Sequence, residues 1–557
     1  MTELLVVLVI AFLVIAASTV LGPRLGIASP LVLVVVGVAA SFLPAFSSVH
    51  IEPDWILEGI LPPLLYSSAV SMPAMNFRRE FGAISSLSIV LVVASSLVLG
   101  AFFALVIPGL GFAWGVALGA IVSPTDAVAT SIIKRTSVSK RVVAMLDGES
   151  LLNDATALVL LRTAIVATAA AFSFWGAVGT FAYSVAVAAV LGWLVGWLNL
   201  VVRRHVRDAT VNTVISFAVP FVAAVPATLL GASGLVAAVV AGIVTGIRAA
   251  RDLSPQNRLS DSQNWRTVEL LLEGAVFLTM GLQIREIIEQ VEHDHGGVGT
   301  AVIVALGALA LTIIVRALYV TPLLGVLARR ARHGVKMRDR MQDMHEKLST
   351  PEGKKQTVEE VRARGFRRSE QDIERVAVRV AQSLADIDYF VREPLGWREG
   401  TAVVWAGMRG AVTVAAAQTL PAGTPQRSVL VLIAYTVAAV SLVVQGGTIG
   451  PLVRRLAPKV DSTAVAEQTA AEQDRMIALM RTSADSVPAL PPAPDGPPTR
   501  ERLLAVRQRR LQVFEAQRAA LLDARDTGTF DADVLESLLA NLDAAQIAIE
   551  LRGTVES

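Results

Sequence analysis

Apolar residues run along this chain in blocks of about twenty, the length a helix needs to cross a bilayer. The blocks fall at about 3–21, 29–45, 54–70, 81–107, 111–132, 141–171, 174–202, 209–229, 233–249, 265–289, 300–328, 400–418 and 426–453. The pattern predicts an all-α polytopic membrane protein with about thirteen transmembrane helices. The connections test the count. Alternate ones carry Arg24; Arg78 and Arg79; Lys134, Arg135, Lys140 and Arg141; Arg203, Arg204 and Arg207; Arg248, Arg251 and Arg258; the charged stretch 329–398; and Arg454, Arg455 and Lys459. The intervening ones are poor in charge or acidic, as at Glu52 and Asp54 or Glu289, Glu292 and Asp294. Basic connections face the cytosol, so the alternation predicts an outer N-terminus and a cytosolic C-terminus, which an odd number of spans requires.

Composition sharpens the class. Of 557 residues, 54% are hydrophobic and 17% charged, and mean hydropathy is +0.58. Soluble domains carry about 25% charge. The net charge of +2 gives no field for nucleic acid, and the absence of cysteine excludes disulfides and thiolate metal sites. No GxxxxGK[ST] phosphate loop is present, which argues against ATP-driven pumping. Leu4 to Leu21 lacks a basic leader, since Glu3 is the only charge before it, and reads as a retained first helix.

Three domains are expected: a membrane domain at 1–456 containing the cytosolic insert 329–398, a linker at 457–499, and a cytosolic helical tail at 500–557. The linker holds the Pro-rich run 488–498, which favours extended chain. Helical apolar spacing at 500–526 and 531–552 predicts a hairpin.

The candidate chemistry lies in the sixth and fifth spans. A carboxylate inside a bilayer segment costs roughly 2.5–3.5 kcal/mol and by default marks an ion or proton path. Residues 147–160 carry Glu149, Ser150, Asn153 and Asp154. On a helix Glu149 and Asn153, and Ser150 and Asp154, are four apart on adjacent stripes, so a carboxylate, a hydroxyl, an amide and carbonyls can surround a small hard cation. Burial and a bound cation act in opposite senses on a carboxylate's proton affinity. Asp154 can therefore hold a proton or a cation, the minimum machinery of an exchanger. In the fifth span SPTDAV (123–128) places Pro124 against helix continuity, with Thr125 and Asp126 beside it. Broken helices at membrane depth line polar cavities and serve transporters as ion sites. Further charges fall at Glu273 in the tenth span, Arg316 in the eleventh and Arg409 in the twelfth, where Gly407 and Gly410 flank the arginine.

GESLLND, the SPTDAV break, EGAVFLTMGL (273–282) and GMRGAV (407–412) come in family order. Together they resemble the sodium/proton exchanger branch of the monovalent cation:proton antiporters, NhaP-like bacterial members especially. The resemblance covers roughly 3–456. It implies inverted repeats with two crossing interrupted helices, homodimers, and alternating access that exchanges Na+ or Li+ for H+, serving pH and sodium homeostasis in the cytoplasmic membrane. It implies a transporter, not an enzyme, without a cofactor beyond the transported Na+ and H+. Asp154 then corresponds to the transport carboxylate, with Asn153, Ser150, Thr125 and Asp126 near it and Asp154, Ser150 and Thr125 holding Na+. Glu149 and Arg316 correspond to a structural ion pair, and Arg409 and Glu273 to supporting charges. The Asn153–Asp154 pair is associated in the family with electroneutral exchange. The chain departs from the pattern in having Ala127 where many relatives have Pro. Two other readings remain: K+/H+ exchange on the same scaffold, and a receptor or channel with a structural polar core.

Overall fold

The computed structural model describes residues 2–25, 27–43, 52–134, 136, 138–169, 174–294, 297–350, 352–357, 370–456, 462–491 and 499–554. Among these it is helical with no strand. In chain order the helices are α1 (Thr2–Leu25), α2 (Ser29–Ser41), α3 (Leu61–Ser71), α4 (Ala74–Ser85), α5 (Val92–Val106), α6 (Phe112–Val122), α7 (Val128–Ile133), α8 (Lys140–Ala169), α9 (Phe174–Arg203), α10 (Ala209–Leu229) and α11 (Gly234–Asp252). They continue as α12 (Pro255–Leu282), α13 (Ile284–His293), α14 (Val298–Ser349), α15 (Glu370–Arg392), α16 (Trp397–Trp405), α17 (Ala411–Gln418), α18 (Arg427–Ser441), α19 (Gly447–Leu456), α20 (Ser462–Asp485), α21 (Arg500–Thr527) and α22 (Ala532–Thr554). Among the described residues nine helical runs are long and apolar enough to cross a bilayer, and α2 and α6 are shorter apolar helices.

The fifth expected span is two half-helices, α6 and α7, separated at 123–127, and the twelfth is α16 and α17, separated at 406–410. The tenth differs from expectation. Instead of starting near 265 it is one helix from Pro255, because Pro255 occupies the first helical position and Ser254 Oγ accepts from Asn257 N at 3.3 Å. The polar residues 255–264 are therefore helical and not loop.

Contacts divide the chain into two compact units, one formed by Met1–Asp252, Ser260–Leu324 and Leu395–Ala457, the other by Leu253–Leu259, Gly325–Pro394 and Pro458–Ser557. In the first, glycines let helices touch backbone to backbone. A Cβ at Gly115 or Gly119 of α6 would strike the carbonyls of Gly100 and Ser96 on α5. Lipid offers no hydrophobic drive between helices, so such close packing and polar contacts hold them. Two arginines assigned above to cytosolic connections are instead buried in ion pairs. Arg141, 2% exposed, meets Glu80 at 2.5 Å, and Arg203, 0% exposed, meets Asp261 at 3.0 Å. Periodicity could not show this, because both stand at helix ends where a charge ordinarily faces water.

In the second unit Met476, Leu521, Phe530, Val534, Leu535 and Leu542 form one core across α20, α21 and α22. Thr499 caps α21 through Arg502 N at 3.3 Å, and Gly528, with φ of 74°, ends it in the left-handed conformation that glycine adopts freely. The 457–499 stretch expected as linker therefore contains a 24-residue helix, α20, because Met476 has an apolar core to join. α15 of the insert belongs to the same unit, with Arg392 on Glu472 at 2.7 Å and Gln382 Nε2 on Asp526 O at 2.9 Å. Residues 358–369 of the insert and 492–498 of the Pro-rich run lie outside the described residues.

Candidate functional site

The site begins with the first break. Proline lacks an amide hydrogen and disfavours helix in the residue before it, so α6 stops at Val122 ahead of Ser123–Pro124. The carbonyls of Val122 and Ser123 are left without helical partners. Arg409 supplies them: its Nε donates to Val122 O at 2.8 Å and its Nη2 to Ser123 O at 3.2 Å. The guanidinium thus caps the C-terminal end of a half-helix, where positive charge is favourable. On the other side of the break Asp126 Oδ1 accepts from Val128 N at 3.1 Å, at the start of α7.

The second break crosses the first. Asp126 N donates to Met408 O at 2.8 Å, one backbone against the other. The glycines flanking Arg409 are dictated by this approach. A Cβ at Gly410 would overlap the Asp126 carboxylate, and one at Gly407 would lie 2.8 Å from Arg316 Cδ. Arg409 N is held by Ser441 Oγ at 2.9 Å, and its Nη1 also donates to Gly407 O.

α8 passes beside the crossing and presents its polar stripes in two directions. Glu149, 1% exposed, accepts from both Nη groups of Arg316, the Nη2 contact at 2.8 Å, and from Thr125 Oγ1 at 3.1 Å. Arg316 Nε donates to Val403 O near the end of α16 at 2.9 Å. This bidentate pair joins α8, α14 and both broken helices. Asn153, 0% exposed, donates through Nδ2 to Thr125 Oγ1 at 2.8 Å and to Thr125 O at 2.9 Å. Asn153 therefore fastens the break through its amide nitrogen, while its buried Oδ1 has no hydrogen-bond partner among the described residues; the sequence grouped it with the ion ligands, and it is not among the residues lining the cavity described next.

A cavity of about 270 Å³ lies against the crossing. Thr125, Asp126, Ser150, Asp154 and Glu273 all line it. Ser150 Oγ donates to Asp147 O at 3.0 Å, which leaves the hydroxyl oxygen able to accept or coordinate. Among the described residues the Asp154 carboxylate has no hydrogen bond or ion pair, unlike Glu149 on the adjacent stripe. The site thus separates two kinds of carboxylate: Glu149 is saturated by its neighbours, and Asp154, like Glu273 on α12, is open to the cavity. An open carboxylate beside a hydroxyl pair and a second carboxylate can take a proton or a hard monovalent cation. Asp147, Glu269 and Lys134 also line the cavity and were missed from sequence. Asp147 stands two turns before Asp154 on α8, a spacing that would have signalled it.

The pattern of the sodium/hydrogen exchanger transmembrane family matches residues 8–344 and 375–455. An uncharacterized Na(+)/H(+) exchanger of Mycobacterium tuberculosis is 27% identical over 98% of this chain and 96% of its own length. The Na(+)/H(+) antiporter NhaP of Pseudomonas aeruginosa is 25% identical over 72% of this chain and 81% of its own. Among solved structures, the sodium proton antiporter MjNhaP1 of Methanocaldococcus jannaschii shares the fold, with a TM-score of 0.54 at 15% identity, covering 82% of this chain and all of that one. With a matching pattern over most of its length and two crossing broken helices beside an open carboxylate, this chain belongs to the sodium/hydrogen exchanger family of multi-pass membrane antiporters.

Proposed function

We propose that this antiporter exchanges Na+ or Li+ for H+ across the cytoplasmic membrane, one for one, with Asp154 as the carrier. The observation that carries the reading is the open Asp154 carboxylate facing Thr125, Asp126 and Ser150 in one cavity at the crossing. A cation bound there is held by Asp154, Ser150 and Thr125, with Asp126 adding negative charge. A bound cation lowers a carboxylate's affinity for protons, so the two ligands exclude each other and each transit carries one of them. Asn153 contributes no second titrating group, and its amide nitrogen is committed to Thr125, which supports electroneutral exchange. Alternating access follows if the crossing presents Asp154 to each side in turn. The alternating basic connections support an outer N-terminus and a cytosolic C-terminus, with the 500–557 tail in the cytosol. The family resemblance supports a homodimer and a role in pH and sodium homeostasis.

Potassium is a second substrate reading. A Bacillus subtilis relative named a sodium, potassium, lithium and rubidium/H(+) antiporter is 30% identical over 48% of this chain, and the oxygen ligands here set no size limit. Purified protein in liposomes with an internal pH dye tests both. External Na+, Li+ or K+ should drive protons the opposite way, and Asp154→Asn should abolish the signal with the protein still folded. Sodium-driven proton movement retained in Asp154→Asn would refute the carrier assignment. A final gradient that follows an imposed voltage would refute the one-for-one ratio.

A further inference from the structure

The cavity's charge does not end at Asp154. Asp147 lines it from α8, seven residues or about 10 Å earlier along the helix axis. Lys134, at the C-terminal end of α7, lines it opposite, with Nζ 2.9 Å from Asp147 Oδ2. The two side chains are 52% and 24% exposed, which places the pair at the mouth. Glu269 of α12 lines the same region and interacts electrostatically with both Lys134 and Asp147, while Ser67 Oγ donates to it at 3.4 Å. Among the described residues lining the cavity, five are carboxylates (Asp126, Asp147, Asp154, Glu269 and Glu273), and Lys134 is the one base.

A partly exposed ion pair of this kind contributes little to stability. Its charge, in contrast, acts on any cation that must pass it. The lysine ammonium is a compact, strongly hydrated point charge on a flexible stem, the same charge and hardness as the ions this family carries. We propose that Lys134 is a tethered competitor for the transported cation: it occupies Asp147 when no metal ion is at the mouth and swings away as one passes. The Lys134–Asp147 pair thereby sets the apparent cation affinity from that side. The proposal rests on Asp154 being the carrier. A unit charge about 10 Å from the carrier, at a dielectric between that of protein and water, shifts cation affinity roughly two- to tenfold, and the shift is screened by salt.

The test is the sign pattern in liposome exchange, read as apparent KM and maximal rate for Na+ with the mouth side exposed. Lys134→Gln lowers KM by about two- to tenfold, since Asp147 is released to attract cations. Asp147→Asn raises KM by a similar factor, since Lys134 loses its ion-pair partner and its charge is no longer balanced at the mouth, with only the more distant Glu269 opposing it. The double variant returns close to wild type, and all differences shrink when an inert bulky-cation salt is added. Maximal rate and melting temperature stay near wild type throughout. If both single variants move KM the same way, or leave it unchanged, the tethered-competitor role is overturned. Loss of maximal rate and thermal stability in both singles would instead make the pair a clip between α7 and α8, and would equally overturn it. Failure of the underlying reading is distinguishable, because it is scored separately on Asp154→Asn.

Discussion

Replacing Arg316 by methionine should cost stability far more than it costs cation affinity. The side chain is 2% exposed and its partner Glu149 is 1% exposed. The substitution keeps the volume of the stem but removes both Nη donors from Glu149, leaving a buried carboxylate with the single hydroxyl of Thr125 at 3.1 Å. Breaking a buried pair by removing one partner costs about 3–5 kcal/mol, because the remaining charge is uncompensated. Val403 O also loses the Nε donor that meets it at 2.9 Å, near the end of α16 where carbonyls lack helical partners; an unsatisfied buried carbonyl adds about 1–3 kcal/mol. The expected loss is therefore about 4–8 kcal/mol. In the double variant Glu149→Gln with Arg316→Met neither charge of the pair remains, and the introduced amide oxygen still accepts from Thr125, so about 2–3 kcal/mol should be recovered as coupling. Thermal and denaturant unfolding in detergent measures the stabilities, and liposome exchange measures KM. The reasoning is refuted if the single variant lies within about 1 kcal/mol of wild type, or if the two substitutions simply add. A large KM change at normal stability would place Arg316 in the transport path and not in the scaffold.

The crossing of the broken helices yields two further expectations. Gly410→Ala forces a Cβ into the Asp126 carboxylate and should cost about 1–3 kcal/mol with loss of most exchange. Gly325→Ala, where nothing lies within 4 Å, should be silent in the same assays; equal effects would remove the crossing from the explanation. Arg409→Lys keeps the charge but not the fork that reaches Val122 O and Ser123 O together. It should lose about 1–3 kcal/mol for a carbonyl left bare, seen as a lower melting temperature with the Na+/Li+ preference unchanged.

Much of the fold was legible because its causes are local. Blocks of apolar residues give membrane helices since lipid requires every backbone group to be satisfied within its own segment. Pro124 removes one helical donor and biases Ser123 away from helix; since Pro220, Pro226 and Pro322 lie inside continuous helices, the break is completed by Arg409 on the freed carbonyls. The i,i+4 spacing put Glu149 with Asn153 and Ser150 with Asp154 on neighbouring stripes before any contact was known. Family motifs, not periodicity, joined Glu149 to Arg316.

What the partners of each stripe are was decided only in three dimensions. A helical repeat says which side chains share a face, and it is silent on what another helix brings to that face. So Asn153 and Asp154, adjacent in sequence, have opposite fates: Asn153 is turned onto Thr125 and seals the break, while Asp154 is left open to the cavity. Arg409 read as a costly buried charge until the free carbonyls of Val122 and Ser123 appeared beside it. Arg141 and Arg203 read as solvated ends of helices until Glu80 and Asp261 were found against them, and α20 read as linker until α21 and α22 supplied an apolar core. The amino-acid sequence by itself determined where most of the apolar helices run, though not α20 or the start of α12, where one breaks and which residues are able to carry charge. The tertiary structure decided which of those charges are satisfied by neighbours and which, Asp154 and Glu273 among the described residues, stay open to the cavity, because satisfaction depends on groups far along the chain whose distance no local pattern encodes.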